Sequence, residues 1–236
     1  CWCASPVRPG SLIQCRDLHL EPSGSRAALS AVRRESLTTM PDLSSRKSQL
    51  RSQIRNARRE LDQTTRTEAA KHLAHNGSTL PNWSQSRSLA LYLPQDSEID
   101  TEPLARLARA AGTELYLPII EAGNKLTFAL WQTDDELICN RFGIAEPGAD
   151  APRKSIGAID LVCLPLVAWD SSGERLGMGG GFYDRTLAGV TGPLKVGLAY
   201  EIQHRDTLPH EPWDISLDYV ATEAALYRCH GRESRN

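Results

Sequence analysis

The 236-residue sequence lacks several features that would assign it to a membrane or secreted class of protein. No apolar run approaches the roughly 20 residues that a membrane-spanning helix needs, and the N-terminal region has no apolar core of a signal peptide. The formal net charge is only −2, so the whole protein has no field that would attract nucleic acid or a membrane surface. We therefore expect a cytoplasmic protein that binds neither, with any phosphate site built from local residues.

Cysteine is also scarce, and its spacing excludes the common metal and redox motifs. None of the six cysteines forms a CxxC pair, and no His/Cys cluster has the spacing of a zinc site. Disulfides are rare in a reducing compartment, and Cys163 lies in an apolar run, which indicates a small core residue. The remaining composition, 40% hydrophobic and 24% charged, fits one compact domain with a buried core.

The first 39 residues differ from the rest of the chain. They contain half of the cysteines and no sustained helical or strand period, whereas regular patterning begins just after Met40. They are either a disordered extension or fusion remnant, or the start was assigned too far upstream and synthesis begins at Met40. We favour the second interpretation, with a functional domain at 40–228 and a tail at 229–236.

A helix is predicted from Ser44, with Ser44 or Ser45 as its N-cap. Apolar residues recur at helical spacing and predict the buried stripe: Leu50, Ile54, Ala57 and Leu61. Basic residues are predicted on a different face: Lys47, Arg51, Arg55, Arg58 and Arg59.

Strands and helices alternate along the remainder of the chain. Helices are predicted at 67–75, 101–111 and 182–190, and strands at 88–93, 114–118, 125–131, 159–164, 195–200 and 218–222. The near-continuous apolar run at 159–164 is typical of a central parallel strand covered on both faces. The alternation favours a single α/β domain in three layers, with an open, mostly parallel sheet flanked by helices.

The segment 169–185, with the sequence WDSSGERLGMGGGFYDR, is the most informative about function. It joins a buried strand to a helix, where α/β proteins bind ligands, and its glycines would let backbone N–H groups approach a phosphate. It matches neither a Walker A loop, nor a GxGxxG fingerprint, nor a hydrolase elbow. A tight turn would also explain the glycines, but Arg175 before them and Asp184 after them favour a phosphate site. Asp184 is either a helix-capping charge or a magnesium ligand beside the phosphates.

The run at 177–184 resembles the signature of the 5-formyltetrahydrofolate cyclo-ligase (5,10-methenyltetrahydrofolate synthetase) family. Three further segments resemble that family in the same order: KSQLR at 47–51, YLPQDSEID at 92–100 and WDISLD at 213–218. The resemblance spans 46 to about 222, nearly all of the patterned chain. It implies a sheet similar to the NagB/RpiA/CoA-transferase-like architecture.

The resemblance also implies the roles of individual residues. It implies that ATP is bound by Lys47, Arg51, Arg175, Leu176, Gly177, Met178, Gly179, Gly180, Gly181, Phe182 and Tyr183. It implies that the folate is bound by Leu93, Glu98, Met178, Gly179, Gly180, Gly181 and Phe182. Magnesium would be bound by Asp184 and Asp214, with Asp218 as the open alternative to Asp214.

Simpler interpretations of some of these residues remain open. Lys47 and Arg51 could belong to a solvated helix face, Leu93 to a core strand and Glu98 to a turn. Trp131 resembles a family aromatic near the pterin, but a buried core tryptophan is the better explanation, so it is only a weak candidate. Some family members have Arg and Lys in the loop where this chain has Met178 and Gly180. The cations at 47, 51 and 175 should therefore matter more here.

The reaction that the resemblance implies is an ATP-dependent ring closure. The formyl oxygen of 5-formyltetrahydrofolate attacks the γ-phosphate of ATP, and N10 then attacks the formyl carbon. The products are 5,10-methenyltetrahydrofolate, ADP and phosphate. We expect Mg²⁺ as cofactor, ATP and a reduced folate as partners, and a monomer.

Two alternatives from other classes stay open. One is a sugar-phosphate isomerase or CoA-transferase-like enzyme, which shares a broadly similar sheet and needs no ATP. The other is a nucleic-acid-binding module that uses the basic helix at 46–59, although that helix lacks interleaved aromatic residues.

Overall fold

The computed structural model describes residues 42–231 of the chain. The predicted extension at 1–39 and the predicted start at Met40 lie outside the described residues, as does most of the predicted tail. The helices of the described part are α1 (Leu43–Glu60), α2 (Gln63–Gly77), α3 (Glu102–Ala110) and α4 (Phe182–Leu187). Within 42–231, none of the helices is long and apolar enough to span a membrane.

The strands of the described part are short, and most of them join one large sheet. They are β1 (Ser88–Ala90), β2 (Glu114–Glu121), β3 (Lys125–Leu130), β4 (Ile138–Cys139), β5 (Ala145–Glu146), β6 (Arg153–Lys154), β7 (Leu161–Pro165), β8 (Ala168–Trp169), β9 (Arg175–Leu176), β10 (Leu194–Leu198), β11 (Tyr219–Ala221) and β12 (Leu226–Arg228). Eight of them form a sheet in the order β12-β11-β10-β7-β1-β2-β3-β6. The five strands from β11 to β2 are mutually parallel, and the outer strands are antiparallel.

Side chains alternate between two cores on the two faces of this sheet. On β1, Leu89 belongs to one core cluster and Ala90 to the other, as the period of two along a strand requires. Leu73 of α2 and Leu104 of α3 join the first cluster, and Leu187 of α4 joins the second. The predicted α/β fold, an open and mostly parallel sheet flanked by helices, is therefore confirmed. The likeness to NagB/RpiA-type sheets stays a prediction.

Helix α1 begins earlier than expected because its N-cap is Asp42, whose Oδ1 accepts the Ser45 N–H at 2.7 Å. The prediction of Ser44 or Ser45 as N-cap is therefore wrong. Placing Arg58 on a face away from the buried stripe is also wrong, because Arg58 has no exposed surface. Ile54 and Arg58 are four residues apart, so they share one face of the helix.

The predicted elements exist, but their ends differ. The first parallel strand stops at Ala90 instead of Leu93, and the last helix stops at Leu187, two residues before Gly189 with φ +71°. The strands β4, β5, β6, β8, β9 and β12 were not predicted, because two or three residues are too few to show a period.

Candidate functional site

A hairpin fixes the base of the glycine-rich loop. Strand β8 pairs with β9, so Arg175 lies opposite Trp169 at the point where the loop begins. The turn between the two strands is closed by the buried carboxylate of Asp170, whose Oδ1 accepts the Ser172 and Glu174 N–H groups at 3.0 and 3.1 Å. The loop therefore starts from a rigid anchor just beyond the carboxyl end of β7.

The loop itself needs glycine at several positions. Gly179 has φ +102° and Gly181, the N-cap of α4, has φ +65°, a region that other residues rarely adopt. A Cβ at Gly180 would lie 2.6 Å from the Phe182 ring. The glycines let the backbone turn sharply while its polar groups stay accessible.

Asp184 lies in the first turn of α4 but does not cap it. Its Oδ1 accepts the Arg175 guanidinium at 2.6 Å and the Ile215 N–H at 3.1 Å. The Arg175 side chain is only 4% exposed, so this ion pair is largely shielded from water. Asp184 thus connects the glycine-rich loop to the segment at 213–218.

Asp214 faces the same region and pairs with α1. Its Oδ2 accepts the Lys47 ammonium at 2.9 Å and the Glu211 N–H at 2.8 Å. Burial favours the neutral acid, but these hydrogen bonds and the charges of Lys47 and Arg175 outweigh it and lower the pKa of Asp214. Asp214 is therefore held as an anion beside two cations.

Asp218 has a different environment. Its Oδ2 accepts both the backbone N–H and the ammonium of Lys195, at 2.7 and 2.8 Å, next to the start of β11. Of the two aspartates that the sequence left open, Asp214 is the one beside Lys47 and Arg175, whereas Asp218 pairs with a residue of β10.

Lys47 and Arg51 face Asp214 and the glycine-rich loop rather than open solvent. The Lys47 side chain is 13% exposed, and Arg51 Nε donates to the Gly177 carbonyl at 2.8 Å. The guanidinium carbon of Arg51 also lies 3.6 Å from where a Cβ of Gly179 would be. Burial lowers the pKa of Arg51, and the nearby Asp214 opposes that shift.

Glu98 lies in the turn that follows β1, and its carboxylate accepts the Gln95 N–H at 3.0 Å. Burial raises the pKa of Glu98, opposed by the Gln95 hydrogen bond and the positive charge of Arg58. The hydroxyl of Tyr183, the second residue of α4, is buried and has no hydrogen-bond partner within the described residues. Burial and the charge of Glu98 raise the pKa of the Tyr183 hydroxyl, and Arg175 opposes them.

Three other predicted positions lie at the edge of the site or away from it. Leu93 is half-buried and packs against the core cluster that contains β1. Trp131 packs against the same cluster and has the Arg109 guanidinium 4.2 Å from its ring centroid. Met178 is 50% exposed at the tip of the loop. A core role is sufficient to explain Trp131.

The carboxylates of this region could hold a metal ion only with help from a ligand. Within 42–231, no three or more His, Cys, Asp or Glu side chains are close enough to hold a metal together. Magnesium commonly takes one or two carboxylates and completes its shell with water and substrate phosphates. Asp184 and Asp214 fit that pattern, because the Ile215 N–H bonded to Asp184 belongs to the residue after Asp214.

The second half of α1 contacts the turn that carries Glu98, which the sequence pattern did not predict. Arg55 and Arg59 both donate to the carboxylate of Asp96, and Arg58 donates to the Asp96 carbonyl at 2.9 Å. The sequence does contain a pattern that indicates these contacts. Basic residues recur at steps of four, at Lys47, Arg51, Arg55 and Arg59, and so form one row on the helix.

Two open cavities of about 620 and 690 Å³ lie elsewhere in the molecule. They are lined by residues at the amino ends of the parallel strands, such as Leu161, Leu194 and Tyr219, and by neither Glu98 nor the glycine-rich loop. Ligands of open α/β sheets bind at the carboxyl ends of the strands. We therefore place the functional site at the loop and not at these cavities.

The chain is similar to proteins of known activity over the same region. A model of the 5-formyltetrahydrofolate cyclo-ligase family matches residues 43–223. The 5-formyltetrahydrofolate cyclo-ligase of Escherichia coli (strain K12) is 38% identical over 182 residues, covering 74% of this chain and 98% of that protein. The protein of the same name from Haemophilus influenzae is 35% identical over 177 residues, covering 73% and 95%.

A solved structure is similar as well. The NMR structure of Aquifex aeolicus 5,10-methenyltetrahydrofolate synthetase superposes with a TM-score of 0.70 at 35% sequence identity. The superposition covers 80% of this chain and 96% of that chain. The four segments at 47–51, 92–100, 177–184 and 213–218 all lie within the residues that the family model matches.

Proposed function

The chain belongs to the 5-formyltetrahydrofolate cyclo-ligase family and has that family's ring-closing activity, and we propose that the site described above carries it out. The activity uses ATP and a reduced folate as its two substrates. One observation supports this site above all others. Three cations, Lys47, Arg51 and Arg175, lie around one glycine-rich loop together with the carboxylates of Asp184 and Asp214.

ATP binds along this loop, with its phosphates neutralised by Lys47, Arg51 and Arg175. The three cations are already gathered here, where two carboxylates and the Gly177 carbonyl hold them. The nucleotide contacts extend over Arg175, Leu176, Gly177, Met178, Gly179, Gly180, Gly181, Phe182 and Tyr183. Because Met178 and Gly180 carry no positive charge, these three side chains supply the fixed positive charge.

The folate binds between the loop and the turn after β1. Leu93 offers an apolar surface, and Glu98 offers a half-buried carboxyl group that can accept hydrogen bonds from the N–H groups of a pterin ring. The loop residues Met178, Gly179, Gly180, Gly181 and Phe182 lie between the two substrates. Helix α1 contacts Gly177 through Arg51 and Asp96, two residues before Glu98, through Arg55, which supports placing the two substrates side by side.

The reaction needs alignment and charge neutralisation more than proton transfer by the enzyme. The formyl oxygen attacks the γ-phosphate, and ADP leaves. N10 then attacks the activated formyl carbon. The bond between that carbon and the phosphorylated oxygen breaks, inorganic phosphate leaves with the bonding electrons, and the N10 proton is released to solvent as the ring closes. Fixed cations that neutralise the transferring phosphoryl group lower the barrier for the first step.

Asp184 and Asp214 would hold a magnesium ion together with phosphate oxygens and water. When bound, the metal neutralises charge on the phosphates. Asp218 is assigned no role in it, because its carboxylate pairs with Lys195 near the start of β11.

The functional unit that we propose is a monomer formed by residues 40–228. We expect no nucleic acid among its partners. The contacts that Lys47, Arg51, Arg55 and Arg59 make with Asp214, Gly177 and Asp96 support this expectation. A cytoplasmic location stays a prediction.

The decisive experiment follows formation of 5,10-methenyltetrahydrofolate by its absorbance, using the purified protein and 5-formyltetrahydrofolate. We expect product only when ATP and Mg²⁺ are both present, and none after Mg²⁺ is chelated. Product without ATP would favour the ATP-free alternative. A folded protein that forms no product under any of these conditions would overturn the assignment.

A further inference from the structure

The turn that carries Glu98 has an unusual backbone. Asp96 and Ser97 both have positive φ angles, +46° and +62°, although neither is glycine. Such residues adopt this region at a cost in conformational free energy, which the surrounding contacts have to offset. The turn is closed by the Glu98 N–H donating to the Gln95 carbonyl at 2.9 Å and the Gln95 N–H donating to Glu98 Oε2 at 3.0 Å. The orientation of the Glu98 carboxylate therefore depends on the shape of the turn.

Three arginines of α1 hold this turn at Asp96. Arg55 and Arg59 donate to the two carboxylate oxygens of Asp96, with Arg59 Nε at 2.9 Å from Oδ1. Arg58 donates to the Asp96 carbonyl at 2.9 Å and to the Leu166 carbonyl, just after β7, at 3.3 Å. The contacts thus reach both the side chain and the backbone of the strained residue.

Burying the charged Arg58 side chain costs free energy of hydration, so the arrangement is expensive if it only stabilises the fold. Arg58 is completely buried, and its Nε has no hydrogen-bond partner within the described residues. A buried guanidinium is retained only where its partners compensate for the lost hydration. Its hydrogen bonds go to the carbonyls of Asp96 and Leu166, so the buried charge fixes the turn against the end of a central strand.

We propose that Asp96, with Arg55, Arg58 and Arg59, forms a positioning cluster that holds the turn so that the Glu98 carboxylate faces the folate. The role rests on the proposed function, because it assumes that Glu98 contacts that substrate. These are positioning residues and do not touch the reacting atoms. The same helix carries Lys47 and Arg51 one to three turns earlier, so α1 supports both substrates through separate residues.

The test replaces Asp96 by glycine. Asp96→Gly keeps a residue that accepts positive φ, so it removes the side-chain tether without adding backbone strain. The matched control is Glu102→Ala, which removes another carboxylate that pairs with two arginines, Arg106 at 3.0 Å and Arg109 at 3.9 Å, on the surface helix α3. We expect Asp96→Gly to raise the KM for 5-formyltetrahydrofolate about tenfold, as the loss of charge-assisted contacts allows. The KM for ATP and kcat should stay within about threefold of wild type.

Direct binding gives a readout that is independent of turnover. The Kd for 5-formyltetrahydrofolate without ATP, measured by calorimetry, should rise with the KM in Asp96→Gly and stay unchanged in Glu102→Ala. Arg59→Gln removes one tether from the helix side and leaves the turn residues intact. Its effect should have the same direction and be less than additive with that of Asp96→Gly, because both variants break one network.

The outcomes separate this role from the proposed function. An active wild type together with normal folate binding in a folded Asp96→Gly variant would overturn the positioning role alone. If the variant instead lost affinity equally for ATP and for folate and had a lowered Tm, the cluster would only stabilise the fold. That result would also overturn the positioning role. A folded wild type that neither binds the folate nor forms product would overturn the proposed function itself.

Discussion

Asp184 receives hydrogen bonds from the Arg175 guanidinium and the Ile215 N–H on the same carboxylate oxygen. At the scale of single residues, this geometry gives Asp184 two possible roles that one substitution can separate. A residue that only held Arg175 and the loop would lose stability on change to asparagine, by up to about 3–5 kcal/mol, because Arg175 would stay buried without its charged partner, and Mg²⁺ would not restore its function. A magnesium ligand would lose turnover, because the substitution removes an anionic oxygen that the metal prefers.

We expect Asp184→Asn to fold and to lose at least about a hundredfold in turnover, since the metal neutralises charge worth several kcal/mol in the transition state. Excess Mg²⁺ should restore part of the activity. The measurement is turnover against Mg²⁺ concentration, with melting curves to verify folding. Asp218→Asn is the matched control, because Asp218 also pairs with a cation but lies next to the start of β11. Near-normal turnover in a folded Asp184→Asn variant would remove Asp184 from the metal site.

Glu98 gives a prediction about pH. Burial raises its pKa above the ordinary value of 4.5, so the folded protein favours the neutral acid. Glu98 therefore contributes stability that is fully present below the unfolded pKa and is lost as pH rises through the raised folded pKa. Compared with Glu98→Gln, which stays neutral, wild type should have a similar Tm at low pH and a relatively lower Tm at neutral pH.

Thermal unfolding of both proteins from about pH 3 to 8 measures this difference. Glu114→Gln serves as the control, because Glu114 is a surface carboxylate whose pKa is lowered by its hydrogen bonds to Tyr116 and Lys154. Its variant should show the opposite trend or none. A Tm difference between wild type and Glu98→Gln that stays constant over this pH range would contradict the burial of an ionisable Glu98.

At the scale of secondary-structure elements, α1 does most to assemble the site. Lys47, Arg51, Arg55 and Arg59 lie at steps of four along it, so they form one row on its surface. The first two contact Asp214 and Gly177, and the last two contact Asp96. The row therefore runs from the glycine-rich loop to the turn that carries Glu98.

This placement predicts a selective effect of Arg51→Ala. The KM for ATP should rise several-fold, because a charge-assisted contact to phosphate contributes roughly 1.5–3 kcal/mol. Steady-state kinetics with each substrate varied in turn would measure it. Arg59 is unsuitable as a control because it contacts Asp96, so we choose Arg106→Ala, an exposed arginine paired with Glu102 on α3. Equal effects of both substitutions would show a general electrostatic role instead of a specific contact.

The elements themselves were largely predictable. Helices α1, α2 and α3 and the central strands show their periods over several residues, and the hydrophobic pattern that produces them is local. Their ends were less predictable, because a cap depends on one side chain: Asp42 and not Ser44 or Ser45 accepts the first hydrogen bond of α1. The two-residue strands β8 and β9, which anchor the loop, are too short for any period.

At the scale of the whole molecule, the sheet brings together segments that are far apart along the chain. Lys47 and Asp214 are separated by 167 residues, and Arg51 and Gly177 by 126. The residues that meet at the site all fall within 43–223, the part that the family model matches.

A chain that begins at Met40 should therefore keep the turnover and the Tm of the 236-residue chain. The described helices and strands, with both faces of the sheet covered, all follow that residue. Comparing kcat, the KM values and melting curves of the two chains would measure this. A large loss in the shorter chain would show that residues before Met40 contribute to the folded domain.

The class of fold, the family and the segments that resemble its motifs follow from the sequence alone, because hydrophobic period and short motifs are properties of neighbouring residues. The folded structure was needed to find that Asp214 lies beside Lys47 while Asp218 pairs with Lys195. It also decided that Arg58 is buried against Leu166. Each of these outcomes depends on which distant backbone or charge a side chain meets after the strands have paired, and no local pattern contains that information.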